Sequence, residues 1–188
     1  MKLWIVFVVC AGFLIGCSGD KRSPLESPIY NVDGDRIGTV TLTEEAQGVG
    51  VKIKAEGLEP GPHAVHFHER PECNGPDFQS AGNHFNPKKA DHGLMNEKGA
   101  HTGDLPNVEA DESGKTDVEL TLSEATLRDG QTSLLRDKGT SFVIHSRQDD
   151  GMTQPAGDSG ERIACAEITV KANEDPTTDP TEADKNKE

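Results

Sequence analysis

The sequence predicts an all-β domain, an antiparallel sandwich or barrel. Three observations carry this. Apolar residues recur with a period of two, turn signals separate the runs at short intervals, and no strong amphipathic helix is present. Twenty glycines and eleven prolines in 188 residues also favour turns over long helices.

The elements follow in order. "SPIYNV" (27–32) is a short β-rich run closed by Asp33-Gly34. "RIGTVTLTEE" (36–45) alternates Ile37, Thr39 and Thr41 against Val40 and Leu42, and Ala46-Gln47-Gly48 turns the chain. "GVGVKIKAEGL" (48–58) places Val49, Val51, Ile53 and Ala55 on one face. After Glu112-Ser113-Gly114, "GKTDVELTL" (114–122) does the same with Val118, Leu120 and Leu122. "GTSFVIHS", entered through Lys138-Gly139, and "IACAEITV" complete a set of six to eight short strands. Residues 70–104 fit neither period. A loop that long is functional, or is organised by something other than an apolar core.

The ends of the chain have a different composition. Lys2 precedes about a dozen apolar residues, too few for a comfortable membrane span and typical of a secretory signal. The run ends in "LIGC", which resembles a bacterial lipobox, so residues 1–16 are expected to be removed and Cys17 to carry lipid. Residues 17–29 read as a lipidated N-terminus and polar tether, 30–170 as the domain, and 171–188 as a disordered acidic tail. The net charge is −14, one unit more negative without Lys2, and no basic stripe is present, so nucleic acid is excluded as a partner. Cys73 and Cys165 remain after the signal and the lipid site are set aside. They could be a disulfide, two free thiols or two metal ligands. Export favours the disulfide, worth about 4 kcal/mol in the chain-entropy model.

The chemistry lies in the histidines. "HAVHFHERPEC" (63–73) sets His66 and His68 two apart, so on a strand they project side by side, opposite Val65 and Phe67. Alone, this pair is weak evidence for a metal and reads more readily as a polar outward face. The other histidines change the weighting: His84, His92 and His101 fall in the long loop, His101 stands three residues before Asp104, and His145 ends a strand. Imidazole suits zinc and copper, and three imidazoles with a carboxylate make a four-coordinate zinc site. Metal binding would also order a loop poor in core residues. Residue types alone do not pair the ligands.

"GPHAVHFHE", "AGNHFNPKKADHG", "HTGDLPNVEAD", "FVIHSRQDD" and "GERIACA" occur in the order and spacing of the copper/zinc superoxide dismutases. The chain resembles that family over residues 30–170. The resemblance implies an eight-stranded antiparallel Greek-key barrel with two long functional loops. It implies copper bound by His66, His68, His84 and His145, and zinc bound by His84, His92, His101 and Asp104, with His84 bridging both. Cys73 and Cys165 match the family's intrasubunit disulfide. Arg162 matches the arginine that attracts and orients superoxide beside copper, and Asp149 the aspartate linking a copper ligand to a zinc ligand, here His66 to His92. His63 matches a structural histidine. The implied activity is conversion of superoxide to dioxygen and hydrogen peroxide by cycling copper, protecting the cell exterior from a lipid-anchored position on a bacterial membrane. The family's bacterial members differ in their interfaces, so the oligomeric state stays open.

One stretch departs from the pattern. The sixteen residues between His145 and Arg162 form a shorter loop than in eukaryotic members, with Arg147 as its one base among Asp149, Asp150, Asp158 and Glu161. Lysine-assisted guidance of substrate therefore does not carry over. The rival reading is an extracytoplasmic copper/zinc-binding lipoprotein without significant turnover. Arg162 argues against it, since a metal store has no need of an anion-orienting arginine.

Overall fold

The computed structural model describes residues 24–170. The expected signal, the Cys17 lipid site and the tail 171–188 lie outside the described residues, as does the tether up to residue 23. Among the described residues no helix is long and apolar enough to cross a membrane.

Among the described residues nine strands follow one another: β1 Leu25–Asn31, β2 Arg36–Glu45, β3 Gly48–Ala55, β4 Gly61–His63, β5 Val65–His68, β6 Val108–Ala110, β7 Thr116–Leu122, β8 Thr140–His145 and β9 Arg162–Ile168. A 3-10 turn covers Gln79–Ala81. Seven strands form one antiparallel sheet in the order β5-β8-β9-β1-β2-β3-β7, and β4 pairs with β6. β4 and β5 are one strand interrupted at Ala64, whose carbonyl accepts from His145 N–H and whose N–H donates to the Arg147 carbonyl. Counted so, the strands number eight. The connections from β3 to β4 and from β7 to β8 cross from one side of the sheet to the other, which gives the Greek-key path.

The alternation read from sequence places the core. Val40 and Leu42 of β2 and Val49, Val51 and Ile53 of β3 are fully buried, facing Phe67 and Phe142, whose rings meet edge to face at 5.5 Å. β1 begins earlier than the expected domain boundary at residue 30. Leu25 pairs with Leu42, and Leu25, Ser27 and Ile29 point inward, so residues 25–29 of the expected tether are strand. Pro28 hid this alternation: it breaks a run of otherwise β-prone spacing, yet is tolerated in the strand.

β5 is buried on both faces. One face meets the core, and the long loop covers the other. The loop backbone runs along the free side of β5: Phe67 N–H donates to the Gly103 carbonyl, Glu69 N–H to Asn83, and Phe85 N–H to Phe67. The fit is close enough that a Cβ on Gly103 would come within 2.5 Å of the Phe67 carbonyl oxygen. The Cys73–Cys165 disulfide ties the start of this loop to β9, across a sequence separation of 92. It packs with Phe78, Ala81 and Val143 in a small second core.

Candidate metal centre

β5 holds His66 and His68, and β8 ends in His145, on the face covered by the loop; the loop brings in His84. All four are buried, His66 and His68 completely. Their outer nitrogens are committed. His66 Nε2–H donates to Asp149 Oδ2 at 2.8 Å, and His68 Nδ1–H to the Gly82 carbonyl at 3.0 Å. His145 Nδ1 lies 3.2 Å from Ser159 Oγ. The inner nitrogens, His66 Nδ1, His68 Nε2, His84 Nε2 and His145 Nε2, are buried without a hydrogen-bond partner. Four orphaned lone pairs facing one point would be costly in a finished core, and their cost disappears around a cation.

A second set shares His84. His84 Nδ1 is 3.0 Å from Asp104 Oδ1 and 3.3 Å from His101 Nδ1, and His92 Nδ1 is 3.0 Å from Asp104 Oδ2. His92 Nδ1 makes no hydrogen bond despite that distance. Closeness without hydrogen-bond geometry suits donors arranged around an ion. In each set the donor atoms lie within 4.8 Å of one another. Asp104 is held from behind by the N–H groups of Gly93 and His101, both at 3.0 Å.

The charges favour cation binding. Burial pushes His84 down to about 3 and His145 down to about 2, and lowers His68 as well. All three are therefore neutral near pH 7, with lone pairs available. Burial opposes a charge on His92 too, but the carboxylates of Asp104 and Asp149 beside its two ring nitrogens lift it to about 9. Asp104 stays well below the usual carboxylate range: burial works against its charge, and the adjacent imidazoles of His101, His84 and His92 outweigh it. Three imidazoles and one carboxylate are a donor set that suits zinc, and four imidazoles one that suits copper.

Residues 36–168 match the family described as copper/zinc superoxide dismutase. The chain belongs to this family. It is 42% identical over 157 residues to superoxide dismutase [Cu-Zn] 2 of Aquifex aeolicus, covering 82% of this chain and 92% of that protein. It is 42% identical over 139 residues to superoxide dismutase [Cu-Zn] of Caulobacter vibrioides, covering 72% and 80%. Among solved structures, a double mutant of a SOD-like protein from Bacillus subtilis is similar with a TM-score of 0.75 at 38% identity, covering 77% of this chain and 96% of that one.

In this dismutase-family chain, residues other than the ligands hold the ligands in position. Asp149 lies between the two sets, taking His66 Nε2–H on Oδ2 and His92 Nε2–H on Oδ1, the latter at 3.1 Å. Asn107 clamps Asp149 reciprocally: its Nδ2 donates to the Asp149 carbonyl and its Oδ1 accepts from Asp149 N–H, both at 2.8 Å. Gln154 grips the His92 backbone in the same two-way manner. A Cβ on Gly157 (φ +66°) would overlap the Asp149 carboxylate and press on His92. Sequence reasoning missed Asn107 and Gln154, because a lone amide in a loop has no pattern. His63 is buried, with Nδ1 2.7 Å from the His145 carbonyl and Nε2 2.8 Å from that of Glu59, so it joins β4 to the end of β8.

An open cavity of about 840 Å³ reaches His68, His84 and His145. Arg162 stands in its wall, its Nη1 and Nη2 donating at 2.7 Å to the Phe78 and Gly82 carbonyls. Arg147, the one base of the short loop, is turned to Asp158 at 3.0 Å. Two other cations line the cavity instead, Arg70 and Arg136, from segments that sequence reasoning did not connect with the site.

Proposed function

We propose that this chain is a copper/zinc superoxide dismutase, converting two superoxide anions and two protons to dioxygen and hydrogen peroxide. The observation that carries the reading is the pair of ligand sets meeting at one ring, His84, with Nε2 facing one set and Nδ1 the other. Copper is assigned to His66, His68, His84 and His145, and zinc to His84, His92, His101 and Asp104. When bound, copper supplies a one-electron couple and zinc a redox-inert positive charge.

The chain's own residues do the rest. His66, His68 and His145 keep fixed tautomers, because each outer nitrogen faces a partner. His84 Nε2 can hold a proton only while that nitrogen is released from the first set; Nδ1 stays with Asp104, His92 and His101 throughout. That makes His84 Nε2 the atom placed to accept a proton and pass it to a reduced oxygen species. Arg162 spends two of its five N–H donors on backbone carbonyls, and these fix its plane. The remaining donors are left for an anion entering the cavity. A protein that only stores metal requires neither this arginine nor an open path to His84.

The same reading places the protein outside the cytoplasm, where a disulfide persists, and anchors it by lipid on Cys17. Mass spectrometry of the mature N-terminus tests the anchor: an unmodified start at another residue removes it. The enzymatic reading is tested on purified protein loaded with both metals. Pulse radiolysis is expected to give catalytic superoxide decay proportional to bound copper. Full copper occupancy with only the uncatalysed decay would leave the metal-store reading standing.

A further inference from the structure

The described residues contain two methionines, Met95 and Met152, and both lie on the surface, 66% and 58% exposed. They come from different loops and meet at Gly151. Met95 N–H donates to the Gly151 carbonyl at 3.1 Å. The Met95 side chain lies over the Gly151 α-carbon, its terminal methyl 2.8 Å from where a Cβ on Gly151 would sit. Gly151 N–H in turn donates to Asp149 Oδ1 at 2.6 Å. Asp149 is the carboxylate that joins His66 to His92. An exposed sulfur is thus connected through one glycine to both ligand sets.

We propose that Met95 is a redox modification site, where hydrogen peroxide converts the thioether to a sulfoxide and loosens the hold of Asp149 on His92. The inference rests on the dismutase reading, which makes peroxide the product released beside this surface. The step balances. The sulfur lone pair attacks one peroxide oxygen, the S–O bond forms and the O–O bond breaks. The departing oxygen leaves as hydroxide and, with the proton of the transferred oxygen, becomes water. Sulfur loses two electrons and peroxide gains them.

The consequence follows from contact. An apolar methyl group packed on a glycine becomes part of a polar group with a strong acceptor oxygen. That oxygen competes for the Gly151 N–H and pushes on the turn that carries it. Asp149 loses a short hydrogen bond, and His92 loses the fixed orientation that Asp149 gives it. Weakening the partner of a ligating histidine costs metal affinity by about 10-fold or more. Sulfoxide reduction by a methionine sulfoxide reductase reverses the change. Met152 is similarly exposed, but its N–H donates to Asp150 Oδ1 at 2.9 Å rather than to the Gly151 carbonyl, and it serves as the control.

The copper- and zinc-loaded protein is treated with hydrogen peroxide. Zinc release is followed with a chromogenic chelator, and peptide mass locates the added oxygen. Met95 is expected to gain one oxygen and zinc release to quicken roughly 10-fold, returning to its basal rate after sulfoxide reduction. Met95→Leu, apolar but without sulfur, should keep the basal rate in peroxide, whereas Met152→Leu should respond as the wild type does. Zinc loss from Met95→Leu as fast as from the wild type, or an oxidised Met95 with unchanged zinc release, overturns the proposal. A protein that holds no zinc before peroxide is added overturns the metal reading on which it stands.

Discussion

His145 touches only the first ligand set, and His101 only the second. His145→Ala is expected to abolish turnover and leave zinc content unchanged, while His101→Ala should lose zinc and loosen the loop. Metal analysis with pulse radiolysis checks both, and equal loss of both metals from His145→Ala would show that the sets are not separate. Asp149→Ala should weaken metal retention by about 10–100-fold, read by competition with a chelator. The buried histidines also fix how the metal-free protein responds to acid. An unfolded histidine titrates at 6.5, whereas folded His84 and His145 are held to about 3 and about 2, and His68 is lowered too. Below pH 6.5 the unfolded chain therefore binds protons that the folded chain refuses, and stability falls as pH falls. His92 works the other way: its contribution is complete below 6.5 and fades as pH rises through about 9. Three groups against one predict a urea midpoint that drops steadily from pH 6.5 towards pH 4 in chelator. A midpoint flat over that range would contradict the burial of these rings. The histidines, Asp104 and Arg162 were legible in sequence because they stand in spaced motifs. Asn107 and Gln154 were not, because their role exists only once two distant loops meet.

At the level of elements, period-two runs located β2, β3 and β7, each with one face on the core, and short β-rich runs located β8 and β9. The start of β1 was cut off because Glu26, Ser27 and Pro28 masked the inward position Leu25. The long loop has no period of its own, since what seats it is backbone pairing along β5, the disulfide and the ligands. Each tie predicts a cost. Breaking the disulfide by Cys165→Ser frees a chain segment of 92 residues in the unfolded state, about 4–5 kcal/mol in the chain-entropy model. Chemical denaturation of the metal-loaded protein measures it, and an unchanged midpoint would mean the loop is held without it. Gly103→Ala should cost about 1–3 kcal/mol by overpacking, because the new methyl meets a carbonyl in β5 rather than a side chain that can move.

The whole molecule is acidic, with a net charge of −14, and its substrate is an anion, so the distant field repels what the cavity must collect. At physiological salt the screening length is about 8 Å, which mutes scattered surface acids more than the charges inside a cleft. Arg162, Arg70 and Arg136 line that cleft beside Glu69, Asp137 and Glu161, so its side-chain charges balance and bound metal cations would tip it positive. The second-order rate is therefore expected to fall only modestly as ionic strength rises, and Arg162→Ala should slow the reaction and flatten or reverse the slope. A wild-type rate that climbs with salt would show the surface field in control. The sheet itself ends in two outer strands, β5 and β7. β7 bears exposed Asp117 and Glu119, charges that discourage another chain from docking there. β5 has none, only Val65, His66, Phe67 and His68. Its guard is the loop that lies along it, and the ions help hold that loop down. Losing them would turn a protected border into an adhesive one, so colloidal behaviour should follow metal content: scattering by the stripped protein should grow with time and concentration while the loaded protein stays clear.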